Sequence, residues 1–271
     1  RGILEAAYRH QFRIILSGSQ GYQDEISQIV DIMQSSQADG IVVMSSRLDV
    51  DTVVQLSQLD TPFVLLGPPP KENLREIVWV DADNKLATRQ AIEYLISLGH
   101  TQIAYVGGDP KTLTTQERQR SYEETMRGAG LTINPRWIDY GYFGEPGGYT
   151  AVQRMKNLGK DAPTAFYAAN DLMAVGIMRA LTELNLRIPQ DISVIGTNNS
   201  YFSQHTEPPL TTINVPYAEM GKKAVELLIT QISKMNHSPA SYLEDCQLVL
   251  RTSTGPVDKS KRAANAAWSH S

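Results

Sequence analysis

The chain has 271 residues, 41% of them hydrophobic and 20% charged, the balance of an ordinary globular protein of one or two domains. Its net charge of −4 argues against a nucleic-acid surface carried by this chain alone, and no Lys/Arg run of useful length occurs. No apolar run approaches the ~18 residues of a membrane-spanning helix, and the lone Cys246 can form neither an intrachain disulfide nor a cysteine metal cluster, which fits a reducing, cytoplasmic compartment.

Arg1 lies inside an amphipathic helical pattern, RGILEAAYRH, so an upstream segment is expected. Arg13–Leu16 then reads as a strand, Gln23–Ser36 as a helix and Gly40–Met44 as a strand. Val50–Leu59 is helical, Pro62–Leu66 a strand and Val78–Val80 a short strand. Asn84–Leu98 is helical, with Asp81 and Asp83 favouring its start and Gly99 its stop. Gln102–Val106 reads as a strand, Gln116–Ala129 as a helix, Ile138–Tyr140 as a strand and Gly147–Asn157 as a helix. The strands Thr164–Ala168 and Ser193–Ile195 flank the helix Asp171–Leu186, where Asn185 has the stop role. Thr211–Val215 is extended, Ala218–Ser233 helical and Cys246–Thr252 a final strand, in which Cys246 reads as a small packing residue. The terminal KRAANAAWSHS has no core pattern and reads as a linker or tag remnant.

Strand–helix alternation with short connections predicts an α/β fold with parallel sheets covered on both faces. Two doubly wound sheets of ordinary domain size suit this length better than one. Such sheets bind ligands beyond the carboxyl ends of their strands. Asn170, Asp171, Asn198 and Asn199 fall at two such ends.

Enzymatic signatures are missing. There is no G-x-x-x-x-G-K-S/T phosphate loop, and Gly107-Gly108-Asp109 lacks the rest of a dinucleotide fingerprint. His10, His100, His205, His237 and His270 form no i, i+4 zinc pair. No G-x-S-x-G nucleophile elbow occurs. No catalytic residue, metal or cofactor is expected.

Seven motifs carry a family resemblance. GHTQIAYVGG (Gly99–Gly108), ERQRSYEETMRGAGL (Glu117–Leu131), GGYTAVQRM (Gly147–Met155) and PTAFYAANDLMAVGIMRAL (Pro163–Leu181) come first. LRIPQDISVIG (Leu186–Gly196), PPLTTINVPYAEMGKKAVELL (Pro208–Leu228) and LVLRTSTGP (Leu248–Pro256) follow. In this order they resemble the effector-binding core of lactose/galactose-repressor (LacI/GalR) transcription regulators. The resemblance implies two doubly wound subdomains, like those of periplasmic sugar-binding proteins, with a ligand cleft between them. The expected division is 1–80 plus 214–240, then 81–213 plus 241–257, then a tail at 258–271. Chain crossings are expected near Val80, Thr212–Val215 and Ser241. The resemblance also implies a DNA-binding head ahead of Arg1, operator DNA as its partner, and a homodimer.

The same resemblance supplies candidate ligand residues, each weighed against its chemistry. Arg118 begins the ERQRSY helix, and a guanidinium's five fixed donors suit vicinal hydroxyls. Asn170 can donate and accept at once, although it could also cap the helix that follows. Asp171 is the better cap candidate. Asn198 stands where many members carry a ligand-binding Asp, and Asn199 follows it. The rings of Trp79 and Phe143 present apolar surface to a sugar's C–H face, against the plainer reading of core packing. Tyr217 follows a crossing. Gly67 replaces an Asp common in sugar-binding members and leaves room, while Ser17, Met44 and Ser45 end other strands. The Thr197-Asn198-Asn199 and LLGPPP wording resembles the maltose-operon repressor branch, so maltose or a maltooligosaccharide is the expected effector. A periplasmic-type transport receptor is the alternative, and a hydrolase a third class.

Overall fold

Short runs of Val, Ile, Phe and Tyr bounded by Gly, Pro or Asp become strands, and the 3.6-period stretches between them become covering helices. The computed structural model describes residues 1–18, 22–35, 37–44, 48–70, 77–233 and 241–257. The elements in chain order begin with α1 (Gly2–Arg9), α2 (Tyr22–Gln34), β1 (Ile41–Val43), α3 (Val50–Ser57), β2 (Phe63–Leu66) and β3 (Trp79–Ala82). Then come α4 (Asn84–Ser97), β4 (Ile103–Gly107), α5 (Leu113–Gly128), β5 (Ile138–Tyr140), α6 (Glu145–Met155) and β6 (Ala165–Ala168). The last are α7 (Asp171–Glu183), β7 (Ser193–Thr197), β8 (Thr211–Asn214), α8 (Tyr217–Ile232), β9 (Tyr242–Glu244) and β10 (Gln247–Val249).

These elements form two compact units. Arg1–Asp83 with Pro216–Glu244 make unit 1, and Asn84–Val215 with the segment from Asp245 make unit 2. The chain therefore passes between them at 83–84, 215–216 and 244–245.

Unit 1 holds a parallel four-stranded sheet in the order β1-β2-β3-β9. Met33, Val53 and Leu56 from α2 and α3 pack with Val43, Phe63 and Leu65 in one apolar cluster. Ala6 and Ala7 of α1 join Val225 of α8 in another. The ladder of β3 and β9 runs one step past Ala82↔Glu244, because the Asp83 amide donates to the Glu244 carbonyl at 2.9 Å. Two of the three passages thus leave unit 1 bonded side by side.

Unit 2 holds a six-stranded sheet, β10-β8-β7-β6-β4-β5, parallel except for the edge strand β10. Ile103, Tyr105, Phe166, Tyr167, Val194 and Ile195 are fully buried, as a central sheet covered on both faces requires. At the strands' amino ends, the buried His100 ring reaches Thr164 Oγ1 (2.9 Å), Ser193 Oγ (3.0 Å) and the Gly255 carbonyl (3.0 Å). Asn185 and Gly99 stop their helices as expected, with φ of 56° and 89° and carbonyl-capping bonds from Leu186 and His100.

Two strand expectations are corrected. Arg13–Leu16 forms no strand, and Ile14, Ile15 and Leu16 are exposed. An apolar run becomes a strand only with a ladder partner, and none is present among the described residues. The strand expected over Cys246–Thr252 shortens to β10 (Gln247–Val249) in unit 2, and β9 (Tyr242–Glu244) in unit 1, which was not expected, precedes it with buried Cys246 between them.

Candidate ligand-binding site

Parallel pairing aligns the carboxyl ends of β4, β5, β6 and β7 on one edge of unit 2. Val106 lies opposite Ala168, Gly107 opposite Tyr140, and Tyr167 opposite Ile195. The turns leaving this edge and the helix starts that follow them hold six of the candidate residues.

Arg118 is placed by the start of α5. Thr112 caps that helix, its hydroxyl accepting from the Thr115 amide, so Arg118 falls in the second turn. It is 5% exposed, and its charged end is held from two sides. Nε donates to Asn84 Oδ1 at 3.0 Å, and NH1 donates to the Ala169 carbonyl at 2.5 Å. Ala169 directly precedes Asn170, so the guanidinium lies at the end of β6.

Asn170, rather than Asp171, caps α7. Its Oδ1 accepts from the Met173 amide at 2.8 Å, because an Ncap side chain reaches the N3 amide while an N1 side chain cannot. Its Nδ2 donates to the Phe143 carbonyl at 2.8 Å, tying the β6 and β5 turns together. Phe143 has a left-handed backbone, φ 63°, and its ring lies against Gly108. A Cβ on Gly108 would stand 1.9 Å from the ring's Cζ, so the glycine that fails a dinucleotide fingerprint here makes room for an aromatic wall.

Asp171 is fully buried. Oδ1 accepts from the Thr212 hydroxyl at 2.6 Å, and Oδ2 from the Ser200 amide at 2.6 Å. Burial raises its pKa, while those two bonds and the charge of Arg251 act the other way. Both oxygens thus hold the turn after β7 against α7 and β8. A Cβ on Gly196 would stand 2.3 Å from Oδ1, so the carboxylate needs that glycine.

Asn198 and Asn199 occupy that turn with φ of 112° and 52°. Two successive non-glycine residues at positive φ mark a backbone held by its surroundings. The Asn198 amide donates to the Ile213 carbonyl at 2.8 Å. Asn199 donates from Nδ2 to Asn214 Oδ1 at 3.1 Å, and its Oδ1 accepts from Arg251 NH2 at 2.7 Å. Asn199 is therefore a brace for the turn, and Asn198 beside it is likewise half-buried.

The other candidates belong to unit 1. Trp79 opens β3 and packs partly on the unit 1 core, and exposed Tyr217 opens α8. Gly67 follows β2 at φ 136°, a conformation that L side chains avoid, so glycine there meets a backbone requirement. Ser17 donates to Gln28 Oε1 at 2.7 Å, Met44 is exposed, and Ser45 lies outside the described residues.

A guanidinium, two-way amides and one apolar ring make a set suited to a hydroxyl-rich ligand. Among the described residues no group of three His, Cys, Asp or Glu could hold a metal ion.

A family model described as a periplasmic binding protein-like domain matches residues 92–254. The HTH-type transcriptional repressor CytR of Escherichia coli K12 is 30% identical over 254 residues, spanning 94% of this chain and 74% of CytR. A LacI transcriptional regulator structure from Bacillus cereus subsp. cytotoxis superposes with a TM-score of 0.89 at 29% identity, over 95% of this chain and 90% of that one. This chain belongs to the LacI family of transcriptional regulators. It is the ligand-binding core of a LacI-family repressor, and its named relatives are repressors, not enzymes. Another LacI-type match is the transcriptional regulator CelR in complex with cellobiose, with a TM-score of 0.85, 28% identity, and coverage of 93% of this chain and 76% of CelR.

Three residues of this LacI-family core escaped sequence reading: Asn84, Thr212 and Arg251. Arg251 donates to the Leu210 carbonyl (2.6 Å), Ser203 Oγ (3.1 Å) and Asn199. Each acts across more than 30 residues of sequence, where helical or strand spacing carries no signal.

Proposed function

We propose that this core senses a small neutral sugar, with maltose or a short maltooligosaccharide as the specific effector. The observation that carries the reading is the convergence of Arg118, Asn170 and Phe143 on one strand-end edge, with Asn198 in the next turn. Amide and guanidinium groups there can bond hydroxyls that both donate and accept. Asn199 and Asp171 support the binding turn from behind. The cellobiose complex of CelR favours a sugar, and a disaccharide in particular. Asn at 198 and Gly at 67 favour maltose among disaccharides.

In the whole protein the core works with a DNA-binding head, as a cytoplasmic homodimer acting on operator DNA. The sugar shifts the balance between conformations that bind it unequally, and operator affinity follows.

Titration calorimetry with maltose, maltotriose, cellobiose, a galactoside, ribose and adenosine tests the proposal. Maltose or maltotriose should bind, and Arg118→Met should weaken that binding at least about tenfold, or 1.4 kcal/mol. Silence toward maltose with a response to another sugar removes the maltose assignment. A response to adenosine alone removes the sugar.

A further inference from the structure

We propose that Asn84 is the positioning residue that sets the orientation of the Arg118 guanidinium, and that it does so from the first residue of unit 2. Its effect on effector binding rests on the reading of Arg118 given above; the positioning itself does not.

Asn84 is 3% exposed. Its Oδ1 takes the Nε–H of Arg118 at 3.0 Å, while the Ala169 carbonyl takes an NH1 hydrogen. A guanidinium is planar, so two acceptors on different nitrogens fix both its plane and its direction. With one of them removed, the long side chain regains rotamer freedom. Asn84 is itself held. Its Nδ2 donates to Glu117 Oε2 at 3.4 Å, and one residue on, the Lys85 carbonyl accepts from Ser121 Oγ at 2.8 Å. The first turn of α4 and the second turn of α5 are thus stitched together around the arginine.

The position of Asn84 in the chain gives this bond its meaning. Asp83, the last residue of unit 1, donates its amide to Glu244 in β9. Asn84 follows immediately. A torsional change at 83–84 therefore reaches the arginine through the Asn84 side chain. Hinge residues of this kind absorb φ/ψ changes at element ends.

The test reads the Arg118 Nε–H signal in the nitrogen–proton NMR spectrum, assigned by its loss in Arg118→Lys. Its hydrogen exchange should be at least roughly tenfold slower than that of exposed Arg136, as burial and one hydrogen bond require. In Asn84→Ala that protection should collapse by about the same factor, and Asn84→Asp, which keeps an acceptor oxygen, should restore it. Unchanged exchange at the Ile103–Gly107 backbone amides shows that the fold is intact. An Nε–H that stays protected in Asn84→Ala, or that Asn84→Asp fails to rescue, overturns the proposal. Calorimetry with maltose and cellobiose separates the two claims. If Arg118→Met binds both as the parent does, the reading of Arg118 as an effector contact falls, while the exchange result still decides the role of Asn84.

Discussion

Asp171 holds the turn that carries Asn198 while paying a burial penalty of its own. Its folded pKa is raised, so between the ordinary aspartate range and that raised value the native state binds more protons than the unfolded chain. The stability it contributes is then full at low pH and is lost as pH rises through the window. Asp171→Asn removes this titration. The amide can keep its oxygen for the Ser200 amide and turn its nitrogen to the Thr212 hydroxyl, which is able to accept. Urea unfolding of both proteins should therefore show the wild type's advantage over Asp171→Asn shrinking from pH 4 to pH 7; an advantage that grows with pH refutes the assignment. At this scale the sequence was half informative. That Asn170 and Asp171 sit at a strand end followed from the pattern. Which of them caps the helix did not, because the pattern does not fix the first helical residue, and the partners that occupy Asp171 instead, Thr212 and Ser200, lie 41 and 29 residues away.

Helix α7 delivers the Asn170 end of the site, and its position depends on contact with α6 at backbone distance. A Cβ on Gly148 would stand 2.0 Å from the Met173 carbonyl oxygen, and one on Gly176 would stand 1.9 Å from that of Glu145. Neither neighbour is a side chain that can turn aside. Gly176→Ala should cost about 1–3 kcal/mol or more, seen as a lower urea midpoint with an unchanged slope. A neutral midpoint would mean that the helices separate freely. The glycines stand out in the GGYTAVQRM and MAVGIM stretches, yet nothing local says what they face. Arg13–Leu16 shows the opposite fault. Its composition is that of a strand, but composition does not provide a ladder partner. The strand β9 was missed for a related reason: Tyr-Leu-Glu is too short and too exposed to announce itself, and the ladder with β3 alone makes it a strand.

At the scale of the molecule, the alternation of strand and helix was enough to predict an α/β fold with parallel sheets, because each buried strand and each amphipathic helix declares its period, whereas the division into two parts was implied by the family resemblance. The details of passage between the parts depended on three-residue strands and were legible only to within a few residues. Each unit buries apolar residues of its own, and the independence of the two is testable. Leu56 is fully buried in the unit 1 cluster, and Leu56→Ala should cost about 2–5 kcal/mol. Native-state hydrogen exchange should place that loss in the amides of β2 and β3, with those of β4 and β6 in unit 2 retaining more of their protection. An equal loss in both units would show a single cooperative body. The three passages also constrain how a gene for such a protein can be cut and rejoined. A fragment ending at Asp83 lacks α8 and β9, and one beginning at Asn84 and ending at Val215 lacks β10 and the Ser253 and Gly255 contacts that close the far edge of the sheet. Neither unit is one continuous stretch of coding sequence. Recombination can therefore swap one half only by splicing at several points at once.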